Sequence, residues 1–180
     1  MSGFLRDPLG DIQLIADNLR DRYKSGFPIL KEIVQNADDA KANSLCIGWH
    51  QGLAEAEHPL LRDPAMCFIN DAPLSNDDAR GIRSIGLGTK ADNKNAVGKF
   101  GLGMKSLFHL GEVYFFIGSD WQEATGEYSR ADVLNPWSDG RPEWEGFSDN
   151  DKLLIQKELS VVASEFDSAS YIFIVWVPLR

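Results

Sequence analysis

The 180-residue sequence is poor in the residues that build metal cages and disulfide frameworks. It has two cysteines and three histidines. Cys46 and Cys67 each fall in an apolar run with the look of a strand, and the histidines His50, His58 and His109 are scattered. A zinc centre needs Cys and His at close spacing, so none is expected. The two cysteines are expected to be buried free thiols in a reducing compartment, and the cytoplasm is the expected location. No run approaches the roughly 20 apolar residues that span a bilayer. The N-terminus, Met1 to Asp7, lacks the basic-then-apolar layout of a secretion signal. Internal repeats and low-complexity tracts are missing too. What remains is a chain of single-domain length, 43% hydrophobic and 25% charged, enough for a soluble fold with a real core.

Cations are in the minority. The net charge of −9 argues against a general nucleic-acid surface, and with no spanning run no membrane partner is expected. The distribution says more than the sum. Residues 79–110 carry Arg80, Arg83, Lys90, Lys94, Lys99 and Lys105 against Asp92 alone, a net +5 that leaves −14 for the remainder. A basic, Gly-rich island in an acidic chain suits a compact polyanion such as a triphosphate, and it equally suits a solvated basic face.

Hydrophobic spacing predicts a helix after Asp7-Pro8 with Ile12, Ile15, Ala16 and Leu19 on one face. A second is predicted from about Pro28 to Lys41, with Leu30, Ile33, Val34 and Ala37 as its apolar stripe; proline suits a first helical turn. Strands are predicted at 44–49, 65–69, 113–117 and 171–177, and a short helix over 76–85. A polar segment follows at 86–95, and a helix is expected to form within 97–110. Residues 131–147 show no clear period and are expected to be irregular. Ser148 to Asp151 suits the start of a helix that runs to about Phe166. The last strand runs into the C-terminus, so the chain is expected to be one domain, an N-terminal fragment of a longer protein.

Three segments carry chemistry. On the second helix Glu32 and Asn36 are one turn apart, and Asp39 continues that line. An Asn oxygen suits a hard cation and a nearby carboxylate suits proton abstraction from water, while both also suit a plain polar helix face. In the second segment, Phe68 to Ser75, an apolar strand ends in Asp71, an acceptor for an exocyclic amine or an ordinary turn acid. In the third, Gly98, Gly101 and Gly103 leave backbone amides open to phosphate oxygens, ahead of a helix start that favours anions. Lys105 adds a point charge there. The spacing matches neither a P-loop nor a dinucleotide-binding turn.

In order and spacing these segments resemble the GHKL (Bergerat) ATPase superfamily, which takes in ninety-kilodalton heat-shock chaperones, DNA gyrase B and sensor histidine kinases. Within it they are most similar to sacsin-like, chaperone-type ATP-binding domains. The carrying stretches are Ile29 to Ala42 (ILKEIVQNADDAKA), Ile69 to Leu74 (INDAPL), Ile82 to Lys90 (IRSIGLGTK) and Val97 to His109 (VGKFGLGMKSLFH). The resemblance implies an α/β two-layer sandwich, a mostly antiparallel mixed sheet with helices on one face and a Gly-rich ATP lid. The sheet's other face would then be left to a neighbouring domain or partner.

By the same resemblance Glu32 is the general base, Asn36 the Mg2+ ligand and Asp71 the adenine anchor. Asp39 supports the sugar or base side through water. Gly86, Thr89 and Lys90 line the base of the lid. Gly98, Phe100, Gly101, Leu102, Gly103, Lys105 and Ser106 form the phosphate box. Pro73 and Ser75 stand where the superfamily carries glycines after the adenine carboxylate, and no threonine near Ala169 to Tyr171 matches the late adenine contact. The implied function is Mg2+-dependent ATP binding with slow hydrolysis, in which lid closure drives a chaperone-like or defence-type multidomain protein. The implied partners are ATP or ADP, downstream domains of the same polypeptide and a second copy. The alternatives are a nucleotide-gated interaction switch with negligible hydrolysis, a kinase, for which no phosphoacceptor-histidine helix is seen, and an interaction domain without nucleotide.

Overall fold

The structure, a computed structural model, describes residues 28–83, 104–120, 131–135, 143–166 and 171–179. The helix expected after Asp7-Pro8 lies outside the described residues. The first element among them is helix α1, Pro28–Asp39. It closes through a Schellman arrangement: the Lys41 N–H donates to the Asp38 carbonyl at 2.9 Å and the Ala42 N–H to the Ala37 carbonyl at 2.9 Å. Lys41 takes the left-handed conformation this closure needs, with φ 64°, a position usually given to glycine.

Strand β1, Leu45–His50, follows, then a connection containing the short helix α2, Pro59–Arg62, and strand β2, Ala65–Asn70. Helix α3 spans Asn76–Arg83. A 3₁₀ segment, Met104–His109, leads into β3, Tyr114–Gly118. Strand β4, Ala131–Leu134, a 3₁₀ turn at Glu143–Gly146, helix α4, Asp149–Glu165, and strand β5, Phe173–Pro178, are the remaining elements among the described residues.

Among the described residues the sheet has five strands in the order β1-β2-β5-β3-β4, antiparallel throughout. β5 sits at the centre, Val175 pairing with Phe68 on one side and Phe116 on the other. Side chains alternate across a strand, and here both faces are apolar. Phe68, Tyr114, Phe116, Phe173, Val175 and Val177 face one core with Ile29 and Ile33 of α1, Ala79 and Ile82 of α3, and Met104 and Leu107. Cys67, Ile69, Phe115, Ile117, Ile174 and Trp176 face a second core with Ile155 and Leu159 of α4, Leu53, Leu61, Trp144 and Phe147.

The expected placing of helices on one face is therefore corrected. α4 and the 53–61 connection cover the opposite face, because strands apolar on both sides need two coverings. α4 starts with Ser148 accepting the Asp151 N–H on its Oγ at 3.2 Å. Asp151 is 1% exposed, and its carboxylate takes the N–H groups of Glu57 at 2.7 Å and His58 at 3.1 Å, fastening the connection onto the helix. Gly52 lies in the same connection at φ 91°, where a Cβ would run into the Arg62 carbonyl.

Other local expectations are also corrected. The apolar face of α1 is Ile29, Ile33 and Ala37 with Asn36, while Leu30 and Val34 lie at its exposed rim. The turn around the helix axis is set by Asn36 entering the buried arc. Residues 131–147 contain β4, too short for its alternation to stand out, and the described part of 97–110 is 3₁₀ rather than α. Cys46 is exposed because β1 is an edge strand; Cys67 is buried, and both are free. Burial, with Cys46 and Glu158 nearby, pushes the Cys67 thiol up to about 12, so it stays protonated and inert. No helix among the described residues is long and apolar enough to cross a membrane.

Candidate functional site

α1 lies on the sheet face that also carries the Met104–His109 segment, and the two pack together. Two of the three chemistry-bearing stretches therefore meet. Asn36 is 7% exposed, and among the described residues its Nδ2 has no hydrogen-bond partner. A buried carboxamide without a partner loses its hydration without recompense, so it is a costly group to keep. Glu32, one turn earlier, is half-buried and already engaged in a polar interaction. Asp39 is half-buried at the last position of α1. Ser106 is fully buried and engaged, in the 3₁₀ segment facing α1.

The end of β2 belongs to the same edge of the molecule. Asp71 Oδ1 accepts the N–H of Asn43 at 2.7 Å and of Ser44 at 3.0 Å, so the carboxylate ties the strand end to the turn that follows α1. Its Oδ2 has no hydrogen bond among the described residues. The preceding Asn70 is 9% exposed and its Oδ1 accepts the Ala72 N–H at 3.0 Å, which turns the chain sharply. Ser75 then starts α3. Its Oγ accepts the Asp78 N–H at 3.1 Å, while Asp78 Oδ2 accepts the Ser75 N–H at 3.2 Å and its hydroxyl at 2.6 Å. This reciprocal cap explains a serine at a position where a glycine is expected from the resemblance. The Ser-x-x-Asp spacing was the available signal for it.

Gly86, Thr89, Lys90, Gly98, Phe100, Gly101, Leu102 and Gly103 lie outside the described residues, as does the side chain of Lys105. Among the described residues no three His, Cys, Asp or Glu side chains form a group able to hold a metal ion. A divalent cation beside α1 would therefore draw on the Asn36 carboxamide and on oxygens of its ligand and of water, as Mg2+ commonly does. The unpartnered Asn36 amide fits such a role, since a group with a waiting partner need not be satisfied by the protein. A cation would take the carboxamide oxygen, which leaves Nδ2 to donate to an oxygen of the ligand or of water.

Among the described residues two more buried polar groups lack partners, Tyr114 Oη and Trp176 Nε1. Tyr114 stands beside the 3₁₀ segment with its ring 5.1 Å from Phe108, and complete burial pushes its phenol well above the usual range. Sequence reasoning did not single out the backbone amides of Asn43 and Ser44 or the left-handed Lys41. Backbone groups leave no trace in composition, and lysine is not a residue that announces positive φ.

A family model for the Sacsin domain matches residues 11–124. The chain belongs to the Sacsin domain family. Over 113 residues it is 34% identical to human (Homo sapiens) sacsin, an alignment covering 57% of this chain and 2% of that protein. The Sacsin match takes in α1, Asp71, α3 and the Gly-rich stretch before Met104, whereas α4 and β5 lie beyond it.

Proposed function

We propose that this Sacsin domain is a GHKL-type, Bergerat-fold unit that binds ATP with Mg2+ and hydrolyses it slowly. It would act within a cytoplasmic chaperone-like or defence-type multidomain protein whose later domains complete its activity. The observation that carries the proposal is the buried carboxamide of Asn36, its Nδ2 without a partner among the described residues, on a helix packed against the segment that follows the Gly-rich box.

In this proposal each residue has a task set by its position. Asn36 holds the cation. When bound, Mg2+ offsets phosphate charge and orients the terminal phosphoryl group. Glu32 accepts a proton from water, one helical turn from Asn36. Asp71 Oδ2, opposite the oxygen that holds Asn43 and Ser44, accepts from the exocyclic amine of adenine, with Asp39 on the sugar or base side. The amides around Gly98, Phe100, Gly101, Leu102 and Gly103, with Lys105 and Ser106, receive the phosphates, and Gly86, Thr89 and Lys90 form the base of a closing lid.

Titration calorimetry with Mg-ATP, paired with a phosphate-release assay, tests the proposal. Binding that disappears in Asn36→Ala, and hydrolysis that disappears in Glu32→Gln while binding persists, are expected. No heat from Mg-ATP on the intact chain would exclude it. A second function, a nucleotide-gated switch with negligible hydrolysis, is favoured by the double duty of Asp71. Base contact at Oδ2 would be felt at Asn43 and Ser44 and so at β1. Binding without phosphate release in the protein with all its domains would select the switch.

A further inference from the structure

β1 is an edge strand, and among the described residues nothing pairs with its outer side. Exposed edges are normally guarded by charge, proline or a bulge. This one has no such guard. Leu45–His50 contains no proline and no Asp, Glu, Lys or Arg, and its ladder with β2 runs unbroken from Leu45↔Asn70 to His50↔Ala65. The unguarded stretch is wider than the strand: none of the thirteen residues from Ala42 to Ala54 is an Asp, Glu, Lys or Arg. Within it Trp49 is 62% exposed and Ile47 38% exposed. Two residues apart on a strand, they share one face, the face of α1.

We infer that β1 is the interface between two copies of this chain, paired antiparallel about a twofold axis at Gly48. Three observations select a second copy over another strand. First, a register with Gly48 opposite Gly48 sets Ile47 against Trp49 of the other copy, and Trp49 against its Ile47. That gives two identical aromatic-aliphatic cross-strand pairs from one strand, the self-complementarity a twofold interface requires. Second, the register keeps odd residues opposite odd residues, so the α1-bearing faces of both sheets stay on one side; a one-residue slip would mismatch them. Third, each chain carries −9, and two such chains meet with least repulsion along a neutral stretch such as Ala42 to Ala54. This pairing does not depend on nucleotide binding.

Sedimentation equilibrium of the 180-residue protein through the micromolar range tests it. A monomer–dimer equilibrium is expected, weakened about 30-fold or more when Ile47→Lys and Trp49→Lys are combined. Both side chains are exposed, so at a concentration low enough for the parent to be monomeric the double variant should melt with it, and the parent's melting temperature alone should rise with concentration. A second variant fixes the register: a Cβ built at Gly48 meets nothing within 4 Å, so Gly48→Cys fits. In a Cys46→Ser background the two new thiols stand across the axis within disulfide reach, and mild oxidation should give a covalent dimer. A protein monomeric throughout that range overturns the inference and leaves the edge to a strand from a different protein. A dimer indifferent to the two lysines, or one that the Gly48→Cys substitution fails to cross-link, overturns it as well.

Discussion

The Oδ1 atom of Asp71 lies 2.7 Å from the backbone nitrogen of Asn43, across 28 residues of chain. With the second bond to Ser44, one carboxylate oxygen holds the turn that links α1 to β1. Asp71→Ala should therefore loosen that turn whether or not a nucleotide binds. The expected loss is about 1–2 kcal/mol, at the low end because the contacts are exposed. Hydrogen exchange at the Asn43 and Ser44 amides should quicken. Asp71→Asn, which keeps one acceptor oxygen, should fall between.

Asn36 offers the opposite balance. Its Nδ2 is buried and has no partner among the described residues, so Asn36→Ala removes an unsatisfied group. Melting temperature should stay level or rise, equivalent to roughly 0–1 kcal/mol of added stability. Mg-ATP affinity should fall at least about tenfold if the carboxamide holds the cation. A clear loss of stability with unchanged affinity would mark Asn36 as structural.

Lys41 holds a left-handed backbone at φ 64° that glycine adopts more readily. Lys41→Gly should stabilise the fold by about 0.5–1 kcal/mol by relieving that strain, less the entropy glycine adds to the unfolded chain. Urea denaturation of the two proteins decides it, with a higher midpoint expected for the glycine variant.

His58 caps α2, its Nδ1 accepting the Leu60 N–H at 3.2 Å, and its ring meets Phe147 edge-on at 4.4 Å. Burial holds the imidazole below its ordinary 6.5; Asp151 pulls the other way and Arg62 adds to the lowering. Below pH 6.5 the unfolded chain then takes up the proton more readily than the folded one. The stability from neutral His58 is present above that pH and is lost as pH falls through the lower folded value. Protonation also removes the acceptor that caps α2. Melting temperature should fall on acidification from neutral pH to about pH 5. His58→Asn, which retains a capping oxygen, should flatten part of that fall.

Much of the fold was legible because its signals are local. Four of the five strands and helices α1, α3 and α4 lie close to where hydrophobic spacing puts them, and Ser148 does begin α4. β4 escaped because four residues, Ala131–Leu134, leave only two turns of alternation among proline- and tryptophan-rich neighbours. The second core escaped for a different reason. That Trp176 stacks on Phe115 at 5.6 Å, with His50 at 4.3 Å on its other contact, is a long-range pairing that no spacing encodes. At the candidate site the residue types and the Glu32–Asn36–Asp39 line were visible, but not that Asn36 turns into the buried arc of α1. What was hidden is how Asp71 is used, since its partners are main-chain amides. The basic Gly-rich stretch gave a compositional signal only.

The central position of β5 has a consequence for synthesis. Among the described residues β1 pairs only with β2 and β4 only with β3, so β5 alone joins the two strand pairs. As the chain leaves the ribosome, the four earlier strands can form no more than two separate two-stranded ribbons, each marginal by itself. Until Phe173–Pro178 emerges, the apolar strips that it will cover, Phe68 and Ile69 on one ribbon and Phe115 to Ile117 on the other, stay open to water. The two ribbons therefore join into one sheet only once β5 is in place, a late, long-range step of the kind that exposes apolar strand edges before it.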